Sequence, residues 1–225
     1  AEVTAQTIAA LLDEGIGLYY VRRNGSLRGK ISPTECSQVS VRRHQHRYFS
    51  DPRFAMAMAR EIIASKLRNM KTVLIYLWQK KQGTKSACLP LDEAISRLNE
   101  CDGRDQLMGV EGAAARHYFE IYGAQLPEDF RFKVRSRQPA RDATNALLNL
   151  GYMTLFREVL THLEAHQFDP YLGLLHATED GRPSLALDVM EQFRQPMVDL
   201  FIVRLLRLEQ IRKEDFVNQE DGAVT

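Results

Sequence analysis

DQLMGVEGAAARHYFEIY, residues 105–122, reads as a buried helix with a small-residue middle. Helical patterns extend from it in both directions. Upstream, Ser50 or Asp51 can cap a helix with Pro52 at its first position, and Phe54, Met58, Ile62 and Leu67 with Ala55 and Ala59 form its apolar face. A second apolar helix is predicted over Thr72–Lys81, and Asp92 is predicted to cap a short one ending near Asn99. Downstream, Pro139 opens a long helix over about 141–165, Pro183 one to about Phe193, and Pro196 a last one to about Lys213. At the start of the chain, residues 4–13 carry Ile8, Leu11 and Leu12 at helical spacing, with Gly15 as the stop. Then IGLYYV and SLRGKIS flank Asn24-Gly25, a hairpin signal because both turn residues tolerate positive φ. A lone hairpin is marginal in water, so its sheet is expected to be completed by a partner or by residues outside this chain. The fold class is therefore mainly α: a small, incomplete N-terminal β part followed by an all-α domain of about six helices.

Composition narrows the class. With 44% hydrophobic and 26% charged residues in 225, the chain is globular and long enough to bury a core. The best apolar run, Met197 to Leu206, is broken by Asp199 and Arg204, too short for a membrane span or a secretory signal. Cys36, Cys88 and Cys101 are odd in number and unpaired by spacing, which argues against a disulfide framework or a cysteine zinc site and suits a reducing cytoplasm. The net charge of +1 conceals segregation. Twelve Lys/Arg stand against three acids between Arg22 and Lys71, and Arg131, Lys133, Arg135, Arg137 and Arg141 form a second basic run without an acid. Two such runs interleaved with Tyr48, Phe49, Phe54, Phe130 and Phe132 suit a polyanion; solvated helix surface is the alternative.

Four polar residues do not fit their surroundings. Glu111 lies among Gly and Ala on the 105–122 helix, where a carboxylate needs a partner such as Arg116 or a metal. His176 follows the apolar stretch YLGLL and is open to reading as a core histidine or a ligand. Asp188 and Glu191, three apart in SLALDVMEQF, project from one face among apolar neighbours. Two adjacent carboxylates call for a cation: Arg182, Arg194 or a divalent metal. A mixed nitrogen and oxygen donor set suits Mg²⁺ or Mn²⁺.

GVEGAAARHYF (109–119), RSRQPARDATNALLNLGY (135–152) and FDPYLGLLHATEDGRPSLALDVMEQFRQPMVD (168–199) resemble the CRISPR-associated adaptation integrase/endonuclease, the first of the two universal adaptation Cas proteins. SVRRHQHRYFSDPRFAMAMAREIIASKLRNMKTVL (40–74) is similar to that family's V-x-R-x-x-Q entry and Lys-x-x-Asn helix. The likeness runs from about residue 4 to 212; a departure is the family's R-P-P-x-D, which here reads Arg137-Gln138-Pro139-Ala140-Arg141-Asp142.

The resemblance implies that residues 1–40 are the remnant of an N-terminal β-domain, whose first strands would precede Ala1, and that 41–225 are the α-helical metal-dependent catalytic domain. It implies Glu111, His176 and Glu191 as ligands of Mg²⁺ or Mn²⁺, with Asp188 as a nearby catalytic acid. The implied reaction is transesterification, in which the 3′-OH of a captured spacer attacks a phosphodiester at the CRISPR repeat. Arg42, Arg43, Arg47, Lys66, Arg135 and Arg137 are then candidates for phosphate contacts on double-stranded DNA. The implied partners are a second copy in a homodimer, the small second adaptation Cas protein, and a fused or associated reverse transcriptase. Two other readings stay open: a metal-dependent nuclease of branched DNA, and a non-catalytic DNA-binding subunit of the integration complex.

Overall fold

The computed structural model describes residues 2–224 apart from 22–26, 34–38, 79–82, 138, 178, 218, 220 and 221. Helix α1, Ala5–Asp13, starts where the Thr4 hydroxyl accepts the Thr7 N–H. It stops at Gly15, whose φ of +75° lets Gly15 and Ile16 return their N–H groups to Leu12 and Leu11. Strands β1, Leu18–Val21, and β2, Leu27–Ile31, pair antiparallel with Tyr19 opposite Lys30. The Asn24-Gly25 turn lies outside the described residues.

Helix α2, Val39–Phe49, carries the basic stretch from Arg42 to Arg47 and was not expected. Helix α3 is a single rod of 27 residues, Pro52–Trp78, where two helices were expected. The reason is in its buried stripe: Ala55, Ala59, Ile62, Ile63, Leu67, Met70, Val73, Leu74 and Leu77 keep one helical period past Thr72 without interruption. The Thr72 hydroxyl bonds the Arg68 carbonyl inside the rod and caps nothing.

Helix α4, Thr84–Arg97, begins eight residues before the expected Asp92 start. Ala87, Cys88, Leu91 and Ala94 draw it onto the core despite Pro90, while Asp92 faces outward to Lys71 at 2.7 Å. Helices α5, Arg104–Ala124, and α6, Ala143–Ala165, follow the sequence reading closely, with Asp142 capping α6 through the Asn145 N–H at 2.8 Å. Helix α7, Ser184–Met190, leads into a π-helical stretch, Arg194–Asp199, and then α8, Leu200–Arg207. Pro196 therefore sits inside a wide turn instead of opening a helix. It has no N–H to donate, and the π spacing accommodates the interruption.

The rod α3 packs against α4, α5 and the π stretch, and α6 covers the π stretch and α7. Tyr118 and Tyr122 of α5 are fully buried between them. The protein is thus mainly α, with a two-stranded sheet near its start. The hairpin docks on the end of α6, where Tyr19 donates to Glu164 at 3.0 Å and Lys30 pairs with the same carboxylate. Cys88 and Cys101 are free and buried, and Cys36 lies outside the described residues. Among the described residues no helix is long and apolar enough to cross a membrane.

Candidate functional site

Three helices bring the polar residues together. Lys66 on α3, only 7% exposed, places its ammonium 2.5 Å from Glu111 Oε1 on α5 and 2.5 Å from Glu191 Oε2 just beyond α7. One turn on, Asn69 donates to the Gln192 carbonyl at 2.7 Å and pins the end of α7 to the rod. The other Glu191 oxygen meets Arg194 at 3.1 Å, and the Arg194 guanidinium lies 4.9 Å from the centre of the Tyr152 ring. Burial pushes the Glu191 carboxyl up, but the Lys66 and Arg194 cations, with His176 nearby, outweigh it and hold the group below its ordinary value.

Asp188 is fully buried, yet none of its lone pairs is wasted. Oδ2 accepts the Leu174 and Leu175 N–H groups at 2.6 and 2.9 Å, and Oδ1 accepts the His176 N–H at 3.0 Å and the His176 ring Nδ1 at 2.6 Å. This carboxylate shapes the 174–176 turn and fixes the imidazole, leaving Nε2 as the nitrogen free to bind. Gly173 makes the close approach possible: a Cβ there would stand 2.6 Å from the Ser184 Cβ and 3.2 Å from Asp188 Oδ2. Asp188 thus acts on His176 and the turn.

Of the pairings weighed from sequence, Arg194 is a partner of Glu191, whereas Arg182 reaches Glu179 at 3.4 Å. Glu111 takes Lys66 and not Arg116 as its cation. Among the described residues no three His, Cys, Asp or Glu side chains form a ready cage for a metal. The donor chemistry nevertheless fits a divalent cation: two carboxylates from different helices converge on one positive charge, beside a histidine oriented by a carboxylate.

The basic candidates divide. Arg42, Arg43 and Arg47 stand exposed on α2, with Arg42 Nε also donating to the Gln167 carbonyl at 3.3 Å, and Arg137 is exposed before α6. Lys66 and Arg135 are placed differently from a surface phosphate contact. Lys66 is buried between the glutamates. Arg135, half-buried, donates to Asn145 and Asn149, both at 2.7 Å, and lies 5.4 Å from the Tyr152 ring centre. Tyr152 itself is buried, while Tyr48 is exposed beside the basic face of α2. Two clefts lie elsewhere, one of about 560 Å³ between α4 and α5, the other of about 1170 Å³ where the hairpin meets α2 and α6.

Sequence reasoning missed the partners of the acids: Lys66 as the shared cation, Asn69 as the tie, and the Asp188 bonds to three backbone amides. The Lys-x-x-Asn spacing was the available signal, since it puts both residues on one face of α3.

The family described as CRISPR associated protein Cas1 matches residues 1–225. "CRISPR-associated endonuclease Cas1 3" of Thermus thermophilus is 34% identical over 220 residues, covering 98% of this chain and 64% of that one. The chain therefore spans just under two thirds of that relative's length. Among solved structures, a casposase bound to integration product superposes with a TM-score of 0.85 at 25% identity, over 99% of this chain and 62% of that one. A Cas6-RT-Cas1–Cas2 complex gives 0.81 at 26% identity, over 97% of this chain and 24% of the other. A match along its whole length makes this chain a member of the Cas1 family.

Proposed function

We propose that the chain is the part of a Cas1 integrase that performs metal-dependent strand transfer into DNA during CRISPR adaptation. The observation that carries this is the convergence of Glu111 and Glu191 on a single cation beside a histidine held by Asp188. Glu111, Glu191 and His176 Nε2 would hold a Mg²⁺ or Mn²⁺ ion. Bound there, such an ion supplies charge stabilisation to a phosphodiester in the transition state and lowers the pKa of an attacking hydroxyl.

The protein's own groups do the rest. Arg194 fixes one Glu191 oxygen, and the other faces the Lys66 ammonium that Glu111 also meets. Asp188 holds the imidazole by Nδ1 and so leaves Nε2 as the nitrogen that could coordinate. Arg42, Arg43, Arg47 and Arg137 would contact phosphates and set the register of the duplex without reading its sequence. The nucleophile in this reading is the 3′-OH of the captured spacer, and the 3′-oxygen of the cut repeat strand leaves with the proton. One phosphodiester replaces another, so no nucleotide energy source is needed. Double-stranded DNA, the small second adaptation Cas protein and a second copy of the chain are the partners proposed, in the cytoplasm. The similarity to a Cas6-RT-Cas1–Cas2 complex supports Cas2 and a reverse transcriptase as associates.

Glu111→Ala and His176→Ala test the reading. Each is expected to lower strand transfer by about 10³-fold or more while duplex affinity stays within about threefold. Denaturing gels of labelled spacer and repeat read the products. Joined strands support integration, nicked strands alone support the nuclease reading, and strand transfer retained in either variant sinks the ligand assignment.

A further inference from the structure

The metal reading leaves one feature unexplained: the position between the two glutamates already has an occupant. The Lys66 ammonium lies 2.5 Å from both Glu111 Oε1 and Glu191 Oε2, donating a hydrogen bond to the first and meeting the second as an ion pair, at oxygens that a divalent ion would take. We propose that Lys66 is a built-in placeholder cation: it bridges the two glutamates in the metal-free protein, neutralising them together with Arg194, and is expelled from between them when the divalent ion binds, so that metal loading and Lys66 release are one event. This rests on the proposed metal site and adds to it a residue that regulates occupancy.

Charge arithmetic favours exchange over coexistence. Glu111, Glu191, Lys66 and Arg194 sum to zero as they stand, with Asp188 separately satisfied by three backbone amides and His176. A divalent ion added with Lys66 in place would leave +2 among groups that water barely reaches. With Lys66 displaced the sum is +1, which a single phosphodiester cancels. Two cations sharing the same carboxylate oxygens also repel strongly where the dielectric is low.

The architecture permits the motion. Lysine is a compact charge on a flexible four-carbon stem, and at 7% exposure Lys66 already touches the surface, so its head can reach water without moving the backbone. The helix meanwhile stays anchored, because Asn69 holds the Gln192 carbonyl and Arg194 holds the far oxygen of Glu191. Metal would thus find both glutamates in position and displace only a side chain. The placeholder also keeps the two acids from repelling each other before the ion arrives.

The experiment has two arms on the full chain. Mn²⁺ binding is titrated from the loss of the free-ion electron paramagnetic resonance signal, for the parent, Lys66→Met and Glu111→Gln. Lys66→Met is expected to bind Mn²⁺ at least tenfold tighter than the parent; equal or weaker binding overturns the proposal. In the unsubstituted parent, brief acetylation with a water-soluble ester is read residue by residue by mass spectrometry, with exposed Lys213 as reference. Lys66 labelling is expected to rise at least tenfold in saturating Mg²⁺ while Lys213 holds constant. This arm does not depend on any variant folding. If the parent binds Mn²⁺, Glu111→Gln does not, and Lys66 labelling stays flat, the placeholder role falls and the metal site stands. If the parent binds no Mn²⁺, both fall.

Discussion

Two buried acidic sites, whose Glu191 and Asp199 lie eight residues apart along the chain, are compensated in opposite ways. At the first, Glu111 and Glu191 are compensated by cations, Lys66 and Arg194. At the second, the fully buried Asp199 of the π stretch is compensated chiefly by neutral donors. Tyr118 and Tyr152 donate to its two carboxylate oxygens at 2.7 and 2.6 Å, and Tyr122 donates to its carbonyl at 2.9 Å. Hydroxyls tie α5 and α6 to the π stretch but carry no full charge, so burial wins and pushes the Asp199 carboxyl up to about 6, the hydroxyl bonds and the Arg194 and Arg135 charges only limiting the rise. Cations win at Glu191, whose carboxyl is held down. Arg194 joins the two clusters, pairing with Glu191 and stacking on Tyr152. The difference separates a carboxylate held ionised by neighbouring cations from one that knits helices together.

Asp188 gives the largest test of that division. It is as buried as Asp199, but it organises the first cluster through backbone amides. Asp188→Ala leaves three N–H groups and an imidazole without their acceptor, and is expected to cost about 3–5 kcal/mol in urea unfolding, with strand transfer lost as well. A loss below about 1 kcal/mol would mean the turn holds its shape unaided and Asp188 is not its organiser.

The two clusters should also respond to pH with opposite signs. Asp199 binds its proton more tightly folded than unfolded, so its contribution to stability is complete below the unfolded value of 3.8 and disappears as pH rises through about 6. The full loss is about 3 kcal/mol. Glu191 is the reverse: its carboxyl is depressed, so its contribution is present above the ordinary 4.5 and is lost as pH falls through the lowered folded value. Urea midpoints between pH 4 and 7.5 would show the Asp199 decline, and Asp199→Asn should remove it, since a tyrosine hydroxyl can accept from the new amide as readily as it donates. Below pH 4.5, followed down to about pH 2.5, the parent-minus-variant difference for Glu191→Gln should slope the other way, rising with pH. Two curves of the same sign would erase the distinction between the clusters.

Much of this was legible because local chemistry wrote it. Thr4, Gly15 and Asp142 act within one helical turn, where side-chain caps and positive φ are decided, and the structure puts their helix ends close to where spacing put them. Glu111, His176, Asp188 and Glu191 stood out as polar residues in apolar surroundings, and α5, the 174–176 turn and the end of α7, which carry them, are drawn together around Lys66 and Asp188. Partnership was not legible. Lys66 lies 45 residues from Glu111, and although Ile62, Ile63 and Met70 put it on the buried face of α3, nothing there names its partners. The π stretch was hidden for a similar reason: Pro196 reads locally as a helix start, and only tyrosines from α5 and α6 bonding Asp199 hold the wide turn in place. Continuity of α3 was misread as two helices with the second over Thr72–Lys81, whereas the buried stripe keeps its period straight past Thr72.

The smallest stability effect is expected where the basic residues are exposed, and it sharpens the same contrast for arginines. Arg135 is bonded to two asparagines and packed on aromatic rings, so replacing it would disturb the packing under α6 and confuse any effect on DNA. Arg42 and Arg43 stand on the outer face of α2, and the Arg42 bond to the Gln167 carbonyl is 3.3 Å long and exposed. Reversing both to Glu is expected to change unfolding free energy by about 0.5 kcal/mol or less. If they contact phosphates, the reversal should weaken duplex binding across unrelated sequences and reduce the slope of log affinity against log salt by about one for each contact removed, because fewer counterions are then released. Fluorescence anisotropy from about 50 to 300 mM salt measures the slope directly. A slope equal to the parent's would take α2 off the DNA and leave Arg47 and Arg137 as the exposed candidates.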